Sequence, residues 1–589
     1  MSNKNWDLTY FFKSQEDFDK ALENFKKYKD EFIKYKGKLN DEEKLKEFLR
    51  LEKKSNVDLA RLYFYAEMAS DLDKTNVKNS SNLAKVELAV NDLSSSTSFE
   101  SPELLSLGKE YLENFIKNNK EFEEFSFSFR KLFDQSEYVL SKEKEALLSC
   151  FNSLSGEGGN LYSQLTVADR QNKKAKLKSG EEVEVSMSNW SSLIEKSECE
   201  EDRQAIFEAL YQYYFDHKST YGEIYNLVLQ DQLSTMKARG YKSILQSHLV
   251  NSKIPEEVFK NLIEVVSSNT APLKKYYELR RKALGLKKHR SYDRFLQLAS
   301  TSKKYSYEEG KELFFDSIKD LPLDFQNKAH EVLKDGFVDV EAKKGKRTGA
   351  YSNGGYDFHP FILLNWNSEL SDCFTLAHES GHSIHTLYSE EAQPTLKQDY
   401  TIFVAEIAST FNEHNLLDYL LKDDSLTKED KIYLLQKSID EIVSTFYRQT
   451  LFGQYEYEIS LLAEKGEPIN YEVLCNKMKE LYNLYYGIDI EEEKYKTFVW
   501  AYIPHLFYTP FYVYQYATSF TSSMLIYERV KNKEPEAFSN YIKLLKSGGS
   551  EYPVEQVKEA NVDLTKKEPY LSVVRRMEEL VDKLEELLK

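Results

Sequence analysis

The pentapeptide His378-Glu379-Ser380-Gly381-His382 carries residue types that together could bind a metal ion and move a proton. Residues four apart on a helix lie on one face with their Cβ atoms about 5–6 Å apart, so two imidazoles at this spacing can bind one ion. Glu379 projects from a neighbouring part of the same helix, where it can reach a water molecule rather than the ion. The spacing therefore predicts a zinc site with its own general base.

The flanking residues predict the helix that positions this site. In SDCFTLAHESGHSIHTLY, apolar residues recur at spacings of three and four, and Ser371 or Asp372 could cap the helix. Gly381 costs about 1 kcal/mol relative to alanine inside a helix, so we expect close packing at that point. The alternative is a core helix with merely structural histidines, but unpaired buried imidazoles would be costly.

Two residues are candidates for a third ligand, His385 and Glu406. The seven residues from His378 to His385 rise about 10.5 Å along a helix, too far for a compact tetrahedral site. Glu406 lies within the apolar stretch FVAEIASTFNEH, and a buried carboxylate needs a cation or strong hydrogen bonds. We therefore favour Glu406. Glu413 either orients a ligand or is a surface charge, and the sequence leaves both interpretations open.

The segment LAHESGHSIHTLYS followed by FVAEIASTFNE resembles the M3 group of zinc metallopeptidases, most closely its oligoendopeptidase F branch. The resemblance covers nearly the whole chain, because four further segments look like family segments in the family's order. These segments are Trp6 to Phe12, Lys346 to Trp366, Ile503 to Ser519 and Ser547 to Glu555.

The resemblance also implies roles for individual residues. It makes His378, His382 and Glu406 the ligands of one zinc ion per chain, and Glu379 the catalytic base. Three residues of a Tyr-rich segment would contact the substrate or the tetrahedral intermediate: His505, Tyr508 and Tyr512.

The expected fold is mainly α. With 21 Gly and 12 Pro in 589 residues the composition favours long helices, and the length exceeds what one core supports. By resemblance we expect a two-lobed helical metallopeptidase with a central substrate channel and a small β-sheet beside the active-site helix. The predicted domains are an N-terminal helical lobe, residues 1–190, and a catalytic domain, residues 191–589.

The main non-helical region is predicted at residues 336–367, where Gly-rich turns join short strands. The strand FILLNW is placed to act as an edge strand that pairs with an extended peptide, and an ordinary hairpin is an equally good interpretation. A second small hairpin is expected around Ser179-Gly180.

Charge and composition argue against several partners. The net charge of −17 opposes nucleic-acid binding. Residues 497–527 carry no formal charge, but their prolines and polar side chains favour a buried cleft wall over a membrane span. No secretory signal is visible, and the four widely spaced cysteines fit a reduced, cytoplasmic protein.

These observations predict a cytoplasmic zinc metalloendopeptidase that acts on short, unstructured oligopeptides. Three alternatives remain: an exopeptidase with a related metal site, an amidase acting on a non-peptide substrate, and a catalytically silent peptide-binding protein.

Overall fold

The computed structural model describes residues 4–151, 154–301 and 303–589, and most of these residues are helical. From the N-terminus to the central sheet the elements are α1 Gln15–Lys26, α2 Tyr28–Ile33, α3 Glu42–Leu72, α4 Val77–Thr97, α5 Glu100–Leu107, α6 Lys109–Asn118, α7 Ser126–Ser136, α8 Lys142–Ser149, α9 Glu157–Ser163, β1 Lys173–Lys176, β2 Glu182–Val185, α10 Trp190–Glu195, α11 Glu200–Asp216, α12 Lys218–Arg239, α13 Ile244–Leu249, α14 Glu256–Ser268, α15 Ala271–Ala283, α16 Tyr307–Ser317 and α17 Leu323–Val332.

The elements that follow include the three strands of the central sheet and the helix of the HExxH motif. They are β3 Val338–Glu341, β4 Tyr351–Gly355, β5 Phe358–Trp366, α18 Leu370–Ala392, α19 Ile402–Leu420, α20 Lys428–Ile442, α21 Arg448–Glu464, α22 Tyr471–Tyr486, α23 Val499–Tyr502, α24 His505–Tyr508, α25 Tyr514–Lys531, α26 Ala537–Lys546, α27 Pro553–Glu559 and α28 Glu568–Leu588. A π-helical turn, Val443–Tyr447, joins α20 to α21.

The chain forms two compact units, and each unit is assembled from three separate segments. Unit 1 comprises Met1–Glu137, Ser302–Lys422 and Ile526–Val562, and unit 2 comprises Tyr138–Thr301, Asp423–Leu525 and Asp563–Lys589. The mainly helical fold is therefore confirmed. The predicted domains, residues 1–190 and 191–589, divide the chain differently and stay a prediction, as does the substrate channel.

Unit 1 has an aromatic core that reaches from the first residues to the central sheet. Phe18 and Phe48 are fully buried, as are Phe361 and Leu363 of β5. The indole nitrogen of Trp6 donates to the carbonyl of Ile362 at 2.8 Å. The N-terminal segment is thereby fixed to the middle of the sheet.

The central sheet has the strand order β3-β5-β4, with β3 parallel and β4 antiparallel to β5. FILLNW lies in β5, so the prediction that it is an edge strand is wrong: both of its sides are paired. The edge strand beside the HExxH helix is β4, whose Ser352 hydroxyl lies 2.7 Å from the Ser383 hydroxyl of α18. The predicted position of a small sheet beside that helix is confirmed.

Unit 2 is helical apart from the hairpin β1–β2, which lies where the sequence predicts it, around Ser179-Gly180. Its C-terminal helix α28 is a packing helix, because Met577, Leu580 and Leu584 are fully buried. Across the described ranges, no helix combines the length and the apolar character needed to cross a bilayer.

Candidate metal centre and active site

Helix α18 carries both histidines of the motif and begins slightly earlier than predicted. Its N-cap is Glu369 rather than Ser371 or Asp372. Asp372 lies in the first turn of the helix, and its carboxylate accepts hydrogen bonds from the backbone N–H groups of Asn367 and Glu369 at 2.8 and 2.9 Å. This capping box uses the reciprocal hydrogen bonds that stabilise helix N-termini.

Three side chains of unit 1 converge. The Nε2 atoms of His378 and His382 lie 3.2 Å apart, and Glu406 Oε2 lies 3.3 and 3.5 Å from them. Within the described part of the chain, these three residues are the one group of His, Cys, Asp and Glu side chains with ligand atoms close enough to share an ion.

Gly381 allows the helices that carry these ligands, α18 and α19, to approach closely. A Cβ atom at this position would lie 2.4 Å from the carbonyl oxygen of Ala408 and 2.6 Å from Ser409 Cα. The Asn412 amide of α19 also donates to the Ala377 carbonyl of α18 at 3.1 Å. The close packing that the sequence predicts at Gly381 is therefore present, and it sets the distance from the histidines to Glu406.

A second carboxylate holds the first histidine from its other side. Glu413 Oε1 lies 2.5 Å from His378 Nδ1, so the Nε2 atom of that ring is free to face His382 and Glu406. Burial lowers the pKa of His378, but Glu406 and Glu413 outweigh it and hold the pKa well above its usual value. Of the two interpretations of Glu413, the structure supports the one that orients a ligand.

Glu406 is half-buried. Burial raises its pKa, but the hydrogen bonds with His378 and His382 outweigh burial and lower it. The Ser409 hydroxyl also donates to Glu406 Oε2 at 2.9 Å. Together, two imidazole nitrogens and one carboxylate oxygen form a donor set suited to a divalent metal ion.

Glu379 lies one position beyond His378 and is 6% exposed. Burial raises the pKa of its carboxyl, although the neighbouring histidines act in the opposite direction. A glutamate with a raised pKa is suited to accept a proton and release it again.

His385 lies apart from the three converging side chains and packs against Tyr400. Their rings stack at 3.6 Å with an interplanar angle of 8°, and burial lowers the pKa of His385 to about 3. The Tyr400 hydroxyl donates to the carbonyl of His382 at 3.2 Å. Tyr400 thus supports α18, a role that the sequence did not predict.

The other three predicted site residues belong to unit 2. The rings of His505 and Tyr512 are parallel, 6.0 Å apart, and Tyr516 packs edge-on against both. Tyr508 is 48% exposed and contacts Tyr162 instead, with ring centroids 5.4 Å apart. Burial lowers the pKa of His505.

Glu456 supports the loop between α24 and α25, and the sequence analysis missed it. Phe511, next to Tyr512, has a left-handed backbone with φ of 57°, and its N–H donates to Glu456 at 2.8 Å. Burial raises the pKa of Glu456 to about 8. Its setting in the sequence, an acid between Tyr455 and Tyr457, resembles that of Glu406 and could have identified it.

A family model described as peptidase family M3 matches residues 193–576, and one described as oligopeptidase F matches residues 103–171. The chain belongs to peptidase family M3. The resemblance stated from the sequence is confirmed, and this M3 chain is a peptidase.

Relatives of this M3 peptidase match along its whole length. It is 34% identical to oligopeptidase PepF of Bacillus subtilis, covering 99% of this chain and 87% of that protein. It is 33% identical to group B oligopeptidase PepB of Streptococcus agalactiae, covering 99% and 97%. The crystal structure of oligoendopeptidase-F from Enterococcus faecium matches with a TM-score of 0.75 at 27% identity, covering 97% of this chain and 99% of that one.

Proposed function

We propose that this M3 peptidase is a zinc-dependent endopeptidase that hydrolyses internal peptide bonds of short oligopeptides, with Glu379 as general base. The observation that carries the proposal is the convergence of His378 Nε2, His382 Nε2 and Glu406 Oε2 within 4.8 Å of one another. The relatives named as oligopeptidases and an oligoendopeptidase support the substrate class.

The donor set fits zinc. Two imidazoles and a carboxylate are the protein ligands of many catalytic zinc sites, which keep one position open. The carboxylate of Glu413 on His378 Nδ1 is the partner that metal-bound histidines usually have. His378, His382 and Glu406 would hold the ion. When bound, the ion would act as a Lewis acid and lower the pKa of a water molecule to about 7.

The chain's own residues move the proton and hold the substrate. Glu379 accepts a proton from the attacking water and delivers it to the leaving amine, a task that its raised pKa supports. By family resemblance, His505, Tyr508 and Tyr512 contact the substrate and stabilise the developing oxyanion.

Strand β4 replaces FILLNW as the proposed pairing partner of the substrate. It is one of the two outer strands of its sheet and is linked to the HExxH helix through Ser352 and Ser383. Backbone pairing at an edge gives affinity without strict dependence on the peptide's sequence. The cytoplasmic location and the predicted lack of nucleic-acid and membrane partners stay predictions.

The decisive experiment compares the wild type with Glu379→Ala, both loaded with zinc, on an internally quenched oligopeptide. We expect kcat to fall roughly 100- to 10,000-fold, the usual contribution of a general base. Glu391→Ala, at a more exposed position of the same helix, is the matched control and should retain activity. Mass spectrometry of the products should show cleavage of an internal bond.

Three results would count against the proposal. Equal turnover by wild type and Glu379→Ala would remove the assigned base. Products shortened only from one terminus would indicate an exopeptidase. Activity that survives chelation of the metal, with metal content measured to be below one-tenth of an ion per chain, would exclude zinc dependence.

A further inference from the structure

Arg448 and Lys496 of unit 2 contact Tyr482, and the charge of Arg294 also acts on its hydroxyl; these three basic residues are here called the basic cluster. Arg448 Nη1 donates to the Tyr482 hydroxyl at 3.3 Å. Lys496 is 4% exposed, and its ammonium lies 5.2 Å from the ring centroids of both Tyr211 and Tyr482. None of the three is among the residues assigned to catalysis above.

The acids near this cluster are engaged elsewhere. The carboxylate of Glu493 accepts the backbone N–H of Ser291 at 2.8 Å and also its hydroxyl. Asp440 accepts hydrogen bonds from Tyr276 and Gln436 at 2.7 and 3.2 Å.

The cations of the basic cluster therefore lack a direct counter-charge. Over the described ranges, no carboxylate lies within ion-pair distance of Arg294, Arg448 or Lys496. Cation–π contacts offset part of the cost of burying Lys496, but a buried charge is normally matched by an opposite charge.

Irregular backbone places two of these cations. Arg448 directly follows the π-helical turn Val443–Tyr447, and Lys496 follows Tyr495, whose φ is 69°. A π-helical turn and a positive φ at a non-glycine residue each cost free energy. They persist where the surrounding structure fixes them, often at functional sites. Here they direct two cations to the same phenol.

The electrostatic effect on Tyr482 agrees with this geometry. Burial raises the pKa of its hydroxyl, but Lys496, Arg448 and Arg294 outweigh burial and bring the pKa below its usual value. The positive potential at this hydroxyl therefore favours a negative charge there.

We propose that the basic cluster binds one small anion beside the Tyr482 hydroxyl, either a carboxylate or an inorganic anion such as chloride. A carboxylate could be the C-terminus of a peptide substrate, and only that source rests on the proposed function. Tyr502 stacks on Tyr211 at 5.8 Å and precedes His505 by three residues, so the site adjoins the segment that carries the proposed substrate contacts.

Thermal unfolding tests inorganic anions without reference to activity. Sodium chloride should replace the sodium salt of a bulky sulfonate buffer such as HEPES at constant ionic strength, and we expect the Tm of the wild type to rise saturably by roughly 2 °C or more. Lys496→Met should abolish this rise. Lys494→Met, two residues away with a 57% exposed side chain, is the matched control and should respond like the wild type.

A pair of peptides tests the other source. The same quenched peptide is prepared with a free C-terminal carboxylate and with a C-terminal amide. We expect a roughly tenfold higher KM for the amide and a kcat within twofold, and Lys496→Met should remove the difference. Arg294→Gln, at a half-buried position, serves as a second variant if Lys496→Met does not fold.

A response to chloride alone identifies an inorganic anion site, and a response to the C-terminus alone identifies a substrate site. A wild type that responds to neither overturns the proposal, as does a response that survives in the folded cluster variants. Cleavage of both peptides by the wild type and not by Glu379→Ala shows that the proposed function holds whatever the result at the cluster.

Discussion

His378 contacts carboxylates on both ring nitrogens, Glu406 near Nε2 and Glu413 at Nδ1. The contact at Nδ1 fixes both the tautomer and the direction of the ring, which is how such partners strengthen metal sites. We therefore expect Glu413→Gln to weaken zinc binding roughly 10- to 100-fold. Competition with a zinc chelator of known affinity measures the change, and unaltered affinity would show that the Glu413 contact does not strengthen metal binding.

At this scale the sequence predicted the converging residues and missed some of their supports. His378 and His382 follow from a spacing of four, and Glu406 from its apolar surroundings. The contact of Tyr400 with His382 depends on the path of the loop between α18 and α19, which no local pattern specifies. Hydrogen bonds that depend on loop conformation remain outside what spacing alone can predict.

At the scale of helices, Gly381 determines how closely α18 and α19 pack. We expect Gly381→Ala to force the helices apart, because the alanine Cβ would lie 2.4 Å from the carbonyl oxygen of Ala408. This oxygen belongs to the backbone, so it cannot move aside as the end of a flexible side chain could. Zinc content and activity should both fall sharply. Gly453→Ala is the matched control within α21, since its Cβ would make an ordinary contact at 3.4 Å with Tyr514.

Comparing Gly381→Ala with Gly453→Ala separates an effect on helix packing from the general effect of replacing glycine in a helix. Alanine improves helix propensity by about 1 kcal/mol at both positions. If Gly381→Ala bound zinc like the wild type, close approach at that glycine would not be what positions Glu406.

The loop before α25 provides a test based on pH. The folded-state pKa of Glu456 is about 8, above its unfolded value, so the native state retains a proton that the unfolded state loses. Wild-type stability should therefore decline as the pH rises from about 5 to 8, by up to about 1.4 kcal/mol per unit from this group. Glu456→Gln keeps an acceptor for the Phe511 N–H and does not titrate.

We therefore expect the stability of Glu456→Gln relative to the wild type to increase with pH over that range. Denaturant unfolding at pH 5, 6.5 and 8 measures the difference. Glu458→Gln, on the same helix and paired with Lys477 in the wild type, is the control. A difference that does not depend on pH would show that Glu456 carries no extra proton in the folded state.

The edge position expected for FILLNW was the main error in the predicted fold, and its cause is physical. FILLNW is apolar almost throughout, and a continuous apolar run is typical of a strand buried on both faces. Phe361, Ile362 and Leu363 are indeed fully buried. The apolar run therefore favoured a central strand. The edge-strand prediction rested instead on the position of FILLNW directly before the HExxH helix.

For the whole molecule, the division into units predicts how fragments behave. Each unit contains residues from both sides of position 190. We expect a fragment of residues 191–589 to be largely unfolded, because unit 1 would lose the aromatic core formed by α1 to α7 and the Trp6 contact to β5. Circular dichroism and limited proteolysis measure this outcome, with the full chain as control.

A stable, protease-resistant fragment of residues 191–589 would instead support the predicted boundary. The sequence led to that boundary because helical segments follow one another without a clear linker. Which segments pack together depends on contacts hundreds of residues apart, such as Trp6 with Ile362, and periodicity contains no information about them.

The three-segment construction of unit 1 also bears on how the chain is made. A ribosome that has completed Glu137 must still add the residues up to Val562 before unit 1 has all its parts. At about 5–20 residues per second this takes roughly 20–90 s. During the first part of that time Trp6 and Phe11 lack their ring partners Phe358 and Phe361, which belong to the later-made strand β5. Until β5 has been synthesised, the nascent N-terminal segment exposes this part of its core, a surface open to aggregation or to chaperone binding.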